Sequence, residues 1–243
     1  MTKSVVVVII ALILTSVAAS QDKTKPWTDW SMKETTRILS DSAWAQTQVQ
    51  TKEAEGSTSA ITTTTGSPRS MTPKDPSKDT PGAITSYVKY FIRFLSARPI
   101  RQAVVRKMQL EQPEFYAQQA GALKSFAEAT SSDYIVIAVA AEAKDQSMGA
   151  AAQQAFKSAK LESLQATTYL ERKDGARVQL IDLKPPVPDG LGAKFVFPRR
   201  LKNEPFISAE DGYVRFVSQL SNTVKLEARF KVSEMMYNGK LEY

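Results

Sequence analysis

The sequence predicts an α+β fold: a largely antiparallel sheet with about three main helices packed on it and a short N-terminal helix. Three observations predict it. Residues 86–95 alternate apolar and polar side chains with period two, as a half-buried strand does. The C-terminal third is nearly all strand-patterned, and Asp174-Gly175 between two such runs marks a two-residue hairpin, because Gly readily takes the positive φ of a primed turn. Between these regions lie helix-patterned segments around residues 97–129 and 148–161.

The chain opens with Lys3, an unbroken apolar run over residues 5–14, and Ala18, Ala19 and Ser20 ahead of the charged Asp22 and Lys23. A short basic head, an apolar core and small residues at the cut are the pattern of a secretory signal peptide, read here as residues 1–20. The run is shorter than the roughly twenty apolar residues a membrane span needs. The expectation is a chain released after export, with no membrane span and with residues 21–243 forming a single domain.

Ser31 and Glu34 stand at capping-box spacing and open a short helix through about Ser40. Alternation over residues 43–51 then predicts a strand with Ala43, Ala45, Thr47, Val49 and Thr51 on one face and Trp44 and a row of Gln on the other. Residues 53–82 collapse into Ser, Thr, Gly and Pro. With almost nothing large and apolar to bury, they cannot offset the ~1–2 kcal/mol of backbone entropy that ordering costs per residue, so a disordered insertion is predicted.

In the strand over residues 86–95, Val88, Tyr90, Ile92 and Phe94 share one side. Ser96 is placed to cap the next helix, which carries Pro99 in its first turn, runs to about Gln112 and is expected to bury Ile100, Val104 and Met108. A second, Ala-rich helix follows Pro113 to about Ala129, the pair forming a hairpin packed on the sheet. Residues 134–140 are continuously apolar, which suits a central strand covered on both faces. After the small-residue helix, strands are expected at 166–172, 177–183, 194–197, 212–220 and 224–232.

Cys and His are both absent. No Ser-His-Asp or Cys-His nucleophile can exist, and zinc, copper, haem and iron–sulfur sites lose their usual ligands. No cofactor, catalytic residue or metal ligand is assigned. Paired carboxylates, a Ser–Lys dyad and oxygen-ligated Ca²⁺ or Mg²⁺ survive as possibilities. Ser86 and Lys89 have dyad spacing, but three residues apart on a strand they face opposite sides. Glu142, Asp145, Glu171, Asp182 and Glu227 are candidate acids that the sequence does not pair. Asp189-Gly190 and Asp211-Gly212 lack the alternating ligands of a calcium loop. The glycines at 190 and 192 precede a strand rather than the helix of a phosphate loop.

The formal net charge is +7, and residues 83–111 carry six basic residues against Glu111 alone. Within them Arg98, Arg101 and Arg106 are the candidate anion-binding surface, set against the plainer reading as a solvated helix face. No aromatic interleaving of a nucleic-acid motif accompanies them, and no nucleic-acid partner is expected. Trp27, Trp30 and Trp44 are all the Trp of the chain; Trp27 and Trp30 are expected to clamp its mature N-terminus onto the core, a carbohydrate-stacking platform of the three being the other use.

Pro26-Trp27-Thr28-Asp29-Trp30-Ser31, Phe94-Leu95-Ser96-Ala97-Arg98-Pro99, Phe195-Val196-Phe197-Pro198-Arg199 and Gly239-Lys240-Leu241-Glu242 together resemble an uncharacterised family of predicted exported acidobacterial proteins. The resemblance implies export and one full-length unit, and it assigns no activity to any residue. The combined expectation is an exported, periplasmic or secreted soluble protein that binds without catalysis. Its partner would be an anionic envelope polymer or another envelope protein; the alternative is a carboxylate-dependent hydrolase of the cell envelope.

Overall fold

The computed structural model describes residues 25–52, 61–63, 86–130 and 133–243. The leader read at residues 1–20 and most of the Ser/Thr/Pro-rich insertion lie outside the described residues. In chain order the elements are a 3-10 turn (Trp27–Asp29), α1 (Met32–Ser40), β1 (Ala45–Lys52), β2 (Ile61–Thr63), β3 (Ser86–Phe94), α2 (Arg98–Glu111), α3 (Pro113–Glu128) and β4 (Tyr134–Ala143). There follow α4 (Gln146–Ser158), the single turn α5 (Leu161–Leu164), β5 (Thr168–Arg172), β6 (Arg177–Gln179), β7 (Asp182–Lys184) and β8 (Ala193–Pro198). The chain closes with a small ribbon of β9 (Arg200–Leu201) and β10 (Glu204–Pro205), then β11 (Tyr213–Gln219), β12 (Lys225–Lys231) and the hairpin β13 (Met236–Tyr237) and β14 (Lys240–Leu241).

The fold is α+β, and its strand pairings are antiparallel. The larger sheet has the order β2-β1-β3-β4-β8-β7 and the smaller β12-β11-β5-β6. Opposed residues share a face, so the register Gln46↔Ile92↔Val139↔Ala193 and Phe94↔Ile137↔Phe195 defines one side of the larger sheet. The smaller sheet turns Leu170, Phe216 and Ala228 inward in the same way. The two inner faces meet through rings packed edge to face, Phe94 on Phe230 at 4.7 Å and Phe195 on Phe216 at 5.5 Å. Where the smaller sheet stops, α4 covers the larger one with Phe156 against Tyr90. On the opposite face α1 lies over β1 and β3, with Arg93 Nε donating to Leu39 O (2.6 Å) and Thr47 Oγ1 to Ser40 O (2.8 Å).

The row of Gln is the seam between the sheets. β12 is an edge strand whose outward backbone groups need partners, and β1 supplies them as side-chain amides. Gln46 bonds both backbone groups of Arg229, Gln48 accepts from Glu227 N (2.8 Å) and donates to Lys225 O (2.7 Å), and Gln50 donates to Thr223 O (3.0 Å).

The expectations change at several points. The strand expected over 177–183 divides into β6 in the smaller sheet and β7 in the larger, and the Asp174-Gly175 hairpin turns through three residues rather than two, Arg172 N–H donating to Ala176 O (2.9 Å). Ser96 does not cap α2; Ala97 stands there, and Ser96 Oγ accepts from Val136 N (3.1 Å), extending the pairing with β4 instead. The buried side of α2 is Ile100, Arg101, Ala103 and Val105, with Val104 and Met108 only half-buried, because the helix is enclosed by both α1 and α3. α3 packs on α2 and buries only Ala127, so it stands against its partner helix rather than on the sheet. Within the stretch expected to be disordered, three β-branched residues form β2 and pair with β1 in the register Gln50↔Ile61. Among the described residues no helix is long and apolar enough to cross a membrane.

Candidate functional site

The three arginines nominated by charge density do not share a surface. Arg101 is buried, and its guanidinium donates to the carbonyls of Ser96, Phe126 and Ala129, tying the end of α3 to the start of α2. Burial pushes its pKa down, a shift the Glu242 carboxylate only partly opposes. Arg98 meets Glu242 twice, through its backbone N–H (3.3 Å) and through Nη2 (3.1 Å). Arg106 donates to Trp30 O (2.7 Å) and to Gln109 Oε1 (2.7 Å). α2 lies between other elements, and its cations meet main-chain oxygens and the chain's own carboxylate.

Trp30 is buried in the core and Trp27 packs against it, as an anchored N-terminal segment requires. Trp44 works at the other end of the chain, its Nε1 donating to Glu242 O (2.7 Å) and its ring meeting Tyr237 edge-on.

Four of the five candidate acids are held as ion-pair or capping groups. Asp145 caps α4 by accepting from Met148 N (3.0 Å), Asp182 pairs with Lys184 (2.8 Å), and Glu142 stands opposite Lys89 in the β3–β4 register. Glu171 and Glu227 do come together, but through Arg215, which reaches Glu171 at 2.5 Å and Glu227 at 3.1 Å, while Arg177 takes Glu171 from its other side. Burial would raise the Glu171 pKa, yet the bonds and charge of Arg215 and Arg177 outweigh it and hold the carboxyl below its usual range. A general acid needs the opposite shift. Ser86 Oγ meets Asp145 while the Lys89 ammonium lies over the Tyr87 ring, so no dyad forms. Among the described residues no group of three acidic side chains converges as a metal site would require. Gly192 serves a close crossing over β4 rather than a phosphate, and Lys194 pairs with Asp189 (2.6 Å).

A different cationic site forms at the end of the smaller sheet. Tyr213 opens β11 on the outward face, directly opposite Lys231 of β12. Arg229, two residues back on the same face, lies over the Tyr213 ring at 4.4 Å. Lys173 follows β5, its backbone N–H bonded to Tyr213 O (3.2 Å). Its alkyl stem runs where a side chain at 212 would sit, since a Cβ on Gly212 would stand 2.9 Å from Lys173 Cδ. Three cations thus surround one ring. They line a cleft of about 420 Å³ together with Ser42, Ala43 and Glu234.

Lys231 pairs with Glu234 (2.9 Å), whereas Lys173 and Arg229 have no carboxylate partner among the described residues. Arg229 is exposed with its guanidinium carbon over the Tyr213 ring, and a planar guanidinium can take a carboxylate or phosphate through two parallel bonds. Charge counted by stretches of sequence missed this site, because its members come from β11, β12 and the turn after β5. The signal available was the outward alternation of Arg229 and Lys231, which needs the β11–β12 register before it points to Tyr213. No protein-family model, curated protein or solved structure matches this chain.

Proposed function

We propose that this is an exported, non-enzymatic binding protein that holds an anionic envelope polymer in the cleft around Tyr213. One observation carries the reading: Lys173 and Arg229, cations without carboxylate partners among the described residues, flank an aromatic ring in that cleft. Hydrolysis by a carboxylate pair would need two acids across the bound chain. The cleft lining offers Glu234 alone, already engaged by Lys231. The leader-like residues 1–20 and the resemblance to exported acidobacterial proteins support the envelope as the place of action.

The test is retention on an immobilised polyanion, eluted with salt. Lys173→Ala with Arg229→Ala is expected to weaken binding by up to about thirtyfold, since each exposed charge contact is worth up to about 1 kcal/mol and 1.4 kcal/mol is a factor of ten. Lys124→Ala with Lys157→Ala removes the same charge from exposed helix positions and should leave retention unchanged. Equal weakening in both double variants would reduce the cleft to one part of a general charge effect and contradict the assignment.

A further inference from the structure

The outward face of the smaller sheet repeats the Tyr213 arrangement. Tyr169 of β5 carries Arg177 of β6 over its ring at 4.2 Å, as Tyr213 of β11 carries Arg229 of β12 at 4.4 Å. Tyr169 stands opposite Val217, four residues along β11 from Tyr213, so both stacks lie on the same face. A rise of about 3.4 Å per residue and a strand spacing of about 4.8 Å put them about 14 Å apart. Lys173, Arg177, Arg215, Lys225, Arg229 and Lys231 outnumber Glu171 and Glu227 across this face.

Resting on the proposed function, we infer that the ligand is a carboxylate-bearing polysaccharide long enough to reach from Arg229 to Arg177 across the outward face of the smaller sheet. A flat guanidinium held by a ring presents paired in-plane donors, which match a carboxylate. Arg229 keeps its guanidinium donors free of the described protein acceptors, and Arg177 gives Nε and Nη2 to Glu171 and keeps Nη1. The Ala43 and Gly212 walls and the two tyrosines offer apolar and hydroxyl contacts that a sugar ring uses and a bare phosphate chain does not. A single small anion is satisfied at one stack. The second stack adds affinity only for a chain that spans both, through the effective concentration of its far end.

The experiment titrates the purified protein with galacturonate oligomers shorter and longer than the 14 Å span, beside a neutral glucan and inorganic polyphosphate. Affinity is expected to rise tenfold or more at the first oligomer that spans, with the neutral glucan unbound. Tyr169→Ala with Arg177→Ala should abolish that step and leave short-oligomer binding unchanged; Arg177→Gln, at an exposed position, does the same if the double variant does not fold. Short oligomers that bind with no step in length, or a step that persists in a folded Arg177 variant, would overturn the span while leaving the cleft in place. Polyphosphate bound with galacturonates refused would overturn the polysaccharide class alone. Binding of neither anion would remove the proposed function as well.

Discussion

At Gly192 φ is +80°, and a Cβ would stand 2.0 Å from Val139 O. Both the backbone angle and the crossing over β4 exclude a side chain, so Gly192→Ala should cost more than about 2 kcal/mol in urea unfolding. Gly175, at φ +84° with nothing within 4 Å of its virtual Cβ, supplies the comparison. Gly175→Ala should cost only the strain of the angle, about 1 kcal/mol; equal losses at the two sites would show that the β4 crossing does not matter. At Glu34 the carboxylate accepts from the Ser31 backbone (2.6 Å), from Lys25 (2.9 Å) and from the Ser31 hydroxyl (2.7 Å), which together hold its pKa down at about 2 against the usual 4.5. Because the folded pKa is the lower one, its stabilisation is fully present above pH 4.5 and is lost as pH falls through about 2. The gap in Tm between the wild type and Glu34→Gln should therefore be constant near neutrality and close toward pH 2. A gap independent of pH would contradict the assigned bonds. The capping box was legible in the sequence because its partners lie three residues apart. Arg101 was not, because the carbonyls that make it structural arrive from the far end of α3.

The Gln seam sets the energetics at the scale of elements. Gln48 is 1% exposed and satisfies one donor and one acceptor of β12, whereas the Gln50 bond is exposed to solvent. Removing the Gln48 amide strands two backbone groups in the interior, at about 1–3 kcal/mol each, while water can replace the Gln50 amide. Gln48→Ala should thus lower stability by about 2–5 kcal/mol and Gln50→Ala by less than about 1 kcal/mol, read from denaturant midpoints at constant m. Similar small losses at both positions would mean that β12 finds other partners. Alternation placed the glutamines on one face correctly, yet it could not say what they face, because the contact of β1 with β12 is written in neither strand. The same gap hid the cleft, since Tyr213, Arg229 and Lys173 become neighbours only once β5, β11 and β12 are in register.

Across the whole molecule, two antiparallel sheets bury an aromatic layer between them, and the chain's last residues are locked down by Trp44, Arg98 and Arg199, the last donating to Tyr243 O (2.7 Å) with its guanidinium over the Tyr243 ring. The densest basic stretch of the sequence, residues 83–111, is largely consumed by this framework, while Lys173 and Arg229 beside the C-terminal strands are exposed and have no carboxylate partner among the described residues. Charge density in the sequence and charge available to a ligand are therefore different quantities here. The amide spectrum of the labelled protein, followed while a galacturonate oligomer is added, tests this most directly. Perturbations centred on Tyr213, Arg229 and Lys231 and spreading toward Tyr169 are expected; perturbations centred on α2 around Arg98 and Arg106, or none at saturating ligand, would contradict the account.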